Sequence, residues 1–332
     1  MGDRWTSARL RLAPFVVAAC GLASCGSRTG LDDSVRRTDG GAADAADVRT
    51  CPAPWVLFNY VAPHPGSPTN PLQIYALRAD GTDGHVVALP RSDGQAFYPS
   101  TSPDGASLVY ADGALSHLFV YRFADGTERT LATRGPTGFG SLSPDGRTAV
   151  YGNGNYLFVV GVDGVPPMRL LVDAASTPTG GAGYPTFLSD SQTVVFAEGG
   201  AVQSIRVDGS ARRTLVTDRS GGTFLNPTLS PDRRQLAAVV SCDGATSELR
   251  VWSVASLPAD CATGRVVTAV PSNVSYYVLA WGPTGLIAFG SGHDVMLVPA
   301  AGGTSTNLTA TLTGREASAT SPTWVEGCVQ LP

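Results

Sequence analysis

The sequence contains no lysine, so that all 23 of its basic residues are arginine. Charged residues make up only 15% of the chain, and the arginines form no basic stripe. A protein that follows nucleic-acid phosphates needs such a stripe, so the composition argues against a nucleic-acid partner. The missing lysine itself we attribute to coding bias in a GC-rich genome, with no functional meaning.

Sequence motifs of common catalytic sites are missing as well. Neither a G-x-S-x-G elbow nor a phosphate-binding GK[ST] loop occurs. The chain has only four histidines, which are scattered and without metal-ligand spacing: His64, His85, His117 and His293. We therefore expect neither a bound metal nor another cofactor.

Long hydrophobic runs are also missing. The apolar run at about residues 12–23 is too short to span a bilayer as a helix and contains Pro14. It follows an arginine-bearing segment and ends in "LASCG", which resembles the bacterial lipobox, in which small residues precede a cysteine that becomes lipidated. We therefore predict a lipoprotein signal peptide over residues 1–24 and lipidation of Cys25. The alternative is an ordinary secretory signal that happens to contain a cysteine.

Residues 27–50 have mixed charge and few large apolar side chains, which is typical of disordered chain. About 25 such residues reach roughly 25–30 Å. We therefore predict that residues 25–50 are a lipidated cysteine and a tether, and that the folded part, residues 51–332, is held at a membrane. Gly26 after the cysteine favours the outer membrane, with the protein facing the periplasm or the cell surface.

Glycine (39) and proline (24) are abundant, and one turn recurs along the chain. The sequence "SPDG" or a relative of it begins at Ser102, Ser143, Ser189, Ser230 and Gly282, and a partial match, "ATSPTWVEGCVQ", ends the chain. A period of about 40–45 residues is typical of four-stranded propeller blades or of paired helices. Short β-rich runs such as "SLVYA" and "LFVYRF", divided by Asp-Gly turns, favour strands.

One unit reads as strand a (97–101), the SPDG turn, strand b (107–111), strand c (118–123) and strand d (129–132). This order resembles the repeats of TolB-type β-propellers, with their W-S-P-D-G…I-A-F…I-Y-V…D-G…R-L-T pattern. The third and fifth units depart from it, with "LSDSQ" and "WGPTG". The resemblance covers about residues 51–332 and implies an all-β propeller. TolB binds envelope partners, but the α/β domain that precedes its propeller has no counterpart here.

The two chain ends together supply one further blade. Residues 321–324 read as strand a, whereas "WVLFNY" (55–60), "LQIYALRADG" (72–81) and "HVVAL" (85–89) read as strands b to d. Sharing a blade closes the ring and hides both sheet edges. The sequence therefore predicts a six-bladed β-propeller of four-stranded blades, which we expect to be a monomer.

Apart from Cys25 and the signal-peptide Cys20, four cysteines remain, and in an exported protein four cysteines suggest two disulfides with three possible connectivities. Cys51 precedes strand b of the shared blade and Cys328 follows its strand a, so we pair them across the closure. Cys242 and Cys261 then pair by elimination. They are expected at opposite ends of one blade and can meet only if "ASLPADCATG" folds back.

Strand a is the innermost strand of a propeller blade and lines the central tunnel. The six candidate segments contain no Asp, Glu, His, Arg or Lys, which leaves the tunnel poorly equipped for acid–base or metal catalysis. Four side chains in these segments can offer hydroxyl or amide groups to a neutral ligand, or else simply pack between blades: Tyr98, Tyr184, Asn226 and Tyr277.

We therefore expect a lipid-anchored, non-enzymatic envelope protein whose propeller binds a protein or an envelope polymer. The alternative is a propeller enzyme that acts on carbohydrate or peptide through residues at its rim. Three or more carboxylates or histidines converging at one mouth would favour the enzyme. A third possibility is a structural or surface-display role without a specific ligand.

Overall fold

The computed structural model describes residues 51–61, 72–90, 95–112, 114–131, 133–134, 138–174, 182–217, 225–243, 245–270, 278–312, 318–325 and 328–332. The expected signal peptide, Cys25, the expected tether and Tyr277 lie outside these residues. Within the described residues, nearly all regular structure is β-strand, arranged as six small antiparallel sheets in a ring.

The strands follow one another blade by blade. The chain begins with β1 (Trp55–Val61), β2 (Leu72–Arg78) and β3 (His85–Val86). Blade 1 contains β4 (Ala96–Thr101), β5 (Ser107–Asp112), β6 (Leu118–Arg122) and β7 (Glu128–Leu131). Blade 2 contains β8 (Gly140–Leu142), β9 (Thr148–Gly152), β10 (Tyr156–Gly161) and β11 (Arg169–Asp173). Blade 3 contains β12 (Gly183–Phe187), β13 (Thr193–Glu198), β14 (Ala201–Arg206) and β15 (Arg213–Thr217).

Blade 4 contains β16 (Leu225–Leu229), β17 (Gln235–Val240), β18 (Ser247–Ser253) and β20 (Arg265–Val270). Between the last two lie the short strand β19 (Ala259–Asp260) and two single-turn 3-10 helices, Val254–Ser256 and Cys261–Thr263. Blade 5 contains β21 (Leu279–Trp281), β22 (Leu286–Ser291), β23 (Asp294–Pro299) and β24 (Thr306–Asn307). The final strand is β25 (Ser318–Val325).

Blade 6 is built from both chain ends, as the sequence predicts. Its strand order is β25-β1-β2-β3, and β1 pairs antiparallel with β25 so that Trp55 lies opposite Val325. The innermost strands contact one another in the cyclic order β25, β4, β8, β12, β16, β21 and back to β25. The predicted six-bladed propeller with a shared blade is therefore confirmed.

A disulfide links Cys51 to Cys328 beside this shared sheet, with their Cα atoms 5.1 Å apart. These residues stand just outside the two strands that join the chain ends. The covalent bond therefore spans 277 residues of sequence at the point where the ring closes.

The hydrophobic core is divided among the six blade interfaces. The buried side chains of the described residues form six clusters, and each cluster joins two neighbouring blades around the ring. The middle strands are consequently buried on both faces, as in the run Leu108 to Ala111 of β5. This is why strands b and c read as continuous apolar runs in the sequence rather than as an alternation.

The recurring SPDG turn is a hairpin held by its own side chains. In blade 4 the Ser230 hydroxyl donates to Asp232 Oδ1 (2.6 Å) and accepts the backbone N–H of Gln235 (2.9 Å). Hydrogen bonds from Ser230 and from the backbone N–H of Arg234 keep the pKa of Asp232 below its usual value. The motif therefore recurs for a structural reason.

The structure shifts the third turn by one residue. The backbone N–H of Leu188 bonds the carbonyl of Thr193, which is the bond that Ser102 makes to Ser107 in blade 1, so the turn begins at Leu188 and not at Ser189. Leucine has no hydroxyl that could accept the backbone N–H of the strand after the turn. Asp190 takes over that role and accepts from both the N–H and the hydroxyl of Thr193.

The second disulfide links Cys242, between β17 and β18, to Cys261, in the loop between β18 and β20, with the Cα atoms 5.8 Å apart. The loop between β18 and β20 folds back towards blade 3. There β19 pairs in parallel with the outer strand β15, so that Thr217 lies opposite Asp260. Blade 3 thus gains a fifth strand from its neighbour. We call the loop containing β19, together with this disulfide, the clasp.

Candidate functional site

The central tunnel is shaped by an unusual backbone conformation that recurs in the innermost strands. In four blades the residue before a proline has a positive φ, between 50° and 55°: Tyr98, Tyr184, Asn226 and Ser321. Positive φ is uncommon for residues other than glycine, and proline disfavours helical geometry at the residue before it. The register of β4, β12 and β16 against their neighbours shifts at this point. Each of these strands therefore bulges where it faces the tunnel.

Neighbouring groups hold this bulge in place. At the bulge of blade 1, the buried Asn59 of blade 6 donates its Nδ2 to the carbonyl of Ala96 (2.8 Å), and its Oδ1 accepts the backbone N–H of Tyr98 (2.9 Å). A side chain of the neighbouring blade thus provides hydrogen bonds for the backbone of the bulge. Strained backbone persists only where neighbouring groups hold it in place.

The tunnel encloses a cavity of about 160 Å³. Its wall is made of proline rings and hydroxyl groups from the innermost strands: Pro99, Pro185, Pro227 and Pro322, with Ser100, Thr101, Ser141, Thr186, Thr228 and Thr323. Among the described residues that line it, none is Asp, Glu, His or Cys. The described wall residues can donate and accept hydrogen bonds, but none of them carries a carboxylate, imidazole or thiol group.

Three aromatic rings from blades 1 to 3 follow one another around part of the ring. The ring centroids of Tyr98 and Phe139 are 4.2 Å apart, and those of Phe139 and Tyr184 are 4.4 Å apart. Phe139 and Tyr184 belong to the cavity wall. Tyr98 is half-buried against Phe139, so that it takes part in packing between blades.

Asn226 lies in the cavity wall and is 6% exposed. Its Nδ2 has no hydrogen-bond partner among the described residues. Of the four residues singled out from the sequence, Tyr184 and Asn226 thus lie in the cavity wall, and Tyr98 packs against Phe139. Tyr277 lies outside the described residues.

Arg233 is a residue of this wall that sequence reasoning missed. It belongs to the turn after β16 and not to the innermost strand itself, so a survey of strand a alone does not find it. Its Nη1 donates to the carbonyl of Phe187 in blade 3 (2.8 Å), and burial lowers its pKa to about 10. The sequence did contain a signal, because "SPDR" replaces "SPDG" in this turn.

The described part of the chain holds neither a metal-ligand cluster nor a membrane-spanning helix. No group of three or more His, Cys, Asp or Glu residues there is placed to hold a metal ion. The same residues include no helix with the length and apolar character needed to cross a bilayer.

Solved structures share the fold at low sequence identity. TolB from Acinetobacter baumannii superposes with a TM-score of 0.61 and 15% identity, over 82% of this chain and 66% of that one. A structure of a nidogen/laminin complex gives a TM-score of 0.61 and 13% identity, over 82% and 98% of the two chains. An oligogalacturonate lyase in complex with manganese gives 0.51 and 15%, over 71% and 70%.

Neither a protein-family model nor a curated protein sequence matches the chain. The likeness to solved structures establishes a TolB-type six-bladed propeller arrangement for this protein. This chain spans slightly less than two thirds of the length of the TolB chain.

Proposed function

We propose that this protein is a lipid-anchored binding module of the bacterial envelope, in which the propeller holds a partner or ligand and does not transform it. The observation that carries the proposal is the composition of the tunnel wall. Prolines and neutral hydroxyls surround the cavity, and the described wall residues include no carboxylate, imidazole or thiol. General acid–base catalysis needs such a group at the substrate, whereas binding needs only shape and hydrogen bonds.

The proposed anchor is the lipid on Cys25, followed by the tether to residue 50. Two or more acyl chains hold a protein far more firmly than one, because each buried methylene contributes about 0.8 kcal/mol. We place the protein at the outer membrane, facing the periplasm or the cell surface, as a monomer that binds an envelope protein or polymer. The fold shared with TolB supports an envelope setting as an analogy of architecture.

The anchor is tested by replacing Cys25 with alanine in the full-length chain. We expect the variant to lose metabolic labelling with an alkynyl fatty acid and to leave the membrane fraction on cell fractionation. Replacing Cys20 with alanine is the control and should change neither result. Labelling that persists in the Cys25→Ala variant would contradict the anchor.

The binding role is tested by site-specific photo-crosslinking in intact cells. A photoreactive phenylalanine analogue at Pro283, which is exposed and belongs to the tunnel wall, should give a discrete covalent adduct. The same analogue at Thr130, exposed on the outer strand β7, is the matched control and should give none. Identical adduct patterns from both positions, or none from either, would argue against a tunnel that binds a partner.

A further inference from the structure

Arg233 occupies a backbone position that is built for glycine. The equivalent residues of three other turns are Gly105, Gly146 and Gly285, with φ of 69°, 68° and 75°, whereas Arg233 has a φ of 58° and Ser191, in the third turn, has a φ of 54°. All five donate their backbone N–H to the residue that opens the turn. A residue with a Cβ is strained in this conformation, which glycine adopts freely.

The guanidinium group is also short of partners. Nη1 bonds the carbonyl of Phe187, with Thr186 Oγ1 further away at 3.4 Å, whereas Nε is buried and has no partner among the described residues. None of the ion pairs found between described residues involves Arg233. The side chain is half-buried, and a charge that is partly removed from water without a counter-charge is unfavourable unless something neutralises it.

The uncompensated charge belongs to the wall of the tunnel cavity. Arg233 is the one charged residue among the described residues of its wall. Asn226, in the innermost strand of the same blade, adds a second buried donor without an acceptor. Two residues of one cavity wall therefore each carry a buried donor without a partner, and one of them also carries a positive charge without a counter-charge. An oxyanion bound in the cavity would supply both the missing acceptors and the missing charge.

We propose that the tunnel binds a terminal carboxylate, whose oxygens accept hydrogen bonds from the guanidinium of Arg233 and from Nδ2 of Asn226. The cavity of about 160 Å³ has room for a group the size of one small residue, since a cavity of about 150 Å³ holds a benzene molecule. The carboxylate can belong to a small organic acid or to the last residue of a peptide. This inference deepens the proposed binding function and rests on it.

The strain at Arg233 supports this assignment. Residues held in a costly backbone conformation are concentrated at functional sites. If Arg233 serves binding, its removal should weaken the ligand complex and leave the unliganded protein at least as stable. Removal of a residue that serves stability would instead make the unliganded protein less stable.

Binding is measured by isothermal titration calorimetry on the processed, folded chain. The probes are N-acetylalanine, its neutral amide, and a hexapeptide that ends in alanine with either a free or an amidated C-terminus. We expect the free acids to bind and both amides to fail. If N-acetylalanine binds as tightly as the hexapeptide, the ligand is a small acid; if only the hexapeptide acid binds, the ligand is a protein C-terminus.

Arg233→Gln should weaken binding of the acid at least tenfold, since hydrogen bonds to charged groups are the strong ones. Arg234→Gln is the matched control, because this neighbour is exposed and does not line the cavity, and it should bind as the wild type does. Asn226→Asp keeps the shape, tolerates positive φ and should abolish binding by placing a negative charge in the cavity.

Arg233→Gly provides the second measurement. We expect its unfolding midpoint without ligand to be equal to or higher than that of the wild type, while binding is lost. Equal binding by acids and amides, equal loss in the Arg233 and Arg234 variants, or a lower midpoint for Arg233→Gly would overturn the carboxylate site. Failure of all acids together with a Pro283 adduct would overturn this site but leave the proposed binding function; failure of both would overturn both.

Discussion

Replacing Cys51 and Cys328 together by serine will lower the free energy of unfolding by about 5 kcal/mol, because the bond constrains an unfolded loop of 277 residues. Chain entropy makes a cross-link more stabilising as the loop that it closes becomes longer. Guanidinium-induced unfolding of the two forms measures the loss. The shared blade should also exchange its amide hydrogens faster, since β1 and β25 are then held by hydrogen bonds and packing alone.

The clasp supplies the matched comparison. Cys242 and Cys261 close a loop of only 19 residues, for which the same reasoning gives about 3 kcal/mol. The clasp variant, with both cysteines changed to serine, should therefore be the more stable of the two double variants. An equal or larger loss from the clasp pair would show that loop length does not govern the contribution of the ring-closing bond.

The second large effect is expected at Trp324, which joins blade 6 to blade 5. Its side chain is 6% exposed, and its Nε1 donates to the carbonyl of Ala280 (2.9 Å). A Cβ placed on Gly282 would lie 2.5 Å from two carbons of the indole ring. We expect Trp324→Ala to cost about 3–5 kcal/mol through the cavity that it leaves.

Gly282→Ala should cost about 1–3 kcal/mol in the wild type, because it crowds the indole ring. In the Trp324→Ala background the same change should cost almost nothing, so that a double-mutant cycle isolates the contact. Gly183→Ala is the control, since a Cβ there meets no atom within 4 Å. Additive losses for Gly282 and Trp324 would refute the proposed contact between the two blades.

The repeat made the architecture predictable. The spacing of the SPDG turns and the apolar runs between them were sufficient to place the strands within one or two residues in blade 1, where β5 spans Ser107–Asp112 against a prediction of 107–111. The shared blade followed from counting which strands each chain end supplied. Both inferences depend on local patterns that recur, so that each repeat supports the interpretation of the others.

The site was less predictable, because it depends on departures from the repeat. The positive φ at Tyr98 and Asn226 opposes the usual preference of a residue before proline, so no local rule predicts it. Arg233 lies in a turn that fits the SPDG repeat, and only the replacement of the glycine by arginine distinguishes this turn from those of blades 1 and 2. The folding back of the clasp onto β15 depends on contacts between blades, which sequence periodicity does not report.

The closure between Cys51 and Cys328 also determines how the molecule carries mechanical load. Tension applied to the chain before residue 51 and after residue 328 passes through one covalent bond and bypasses all six blades. The chain between them, over a sequence separation of 277, would extend to roughly 900–1,000 Å if pulled straight, and the bond protects it from the force. In a reducing environment the Cys51–Cys328 bond is broken, and the same force acts first on the hydrogen bonds between β1 and β25.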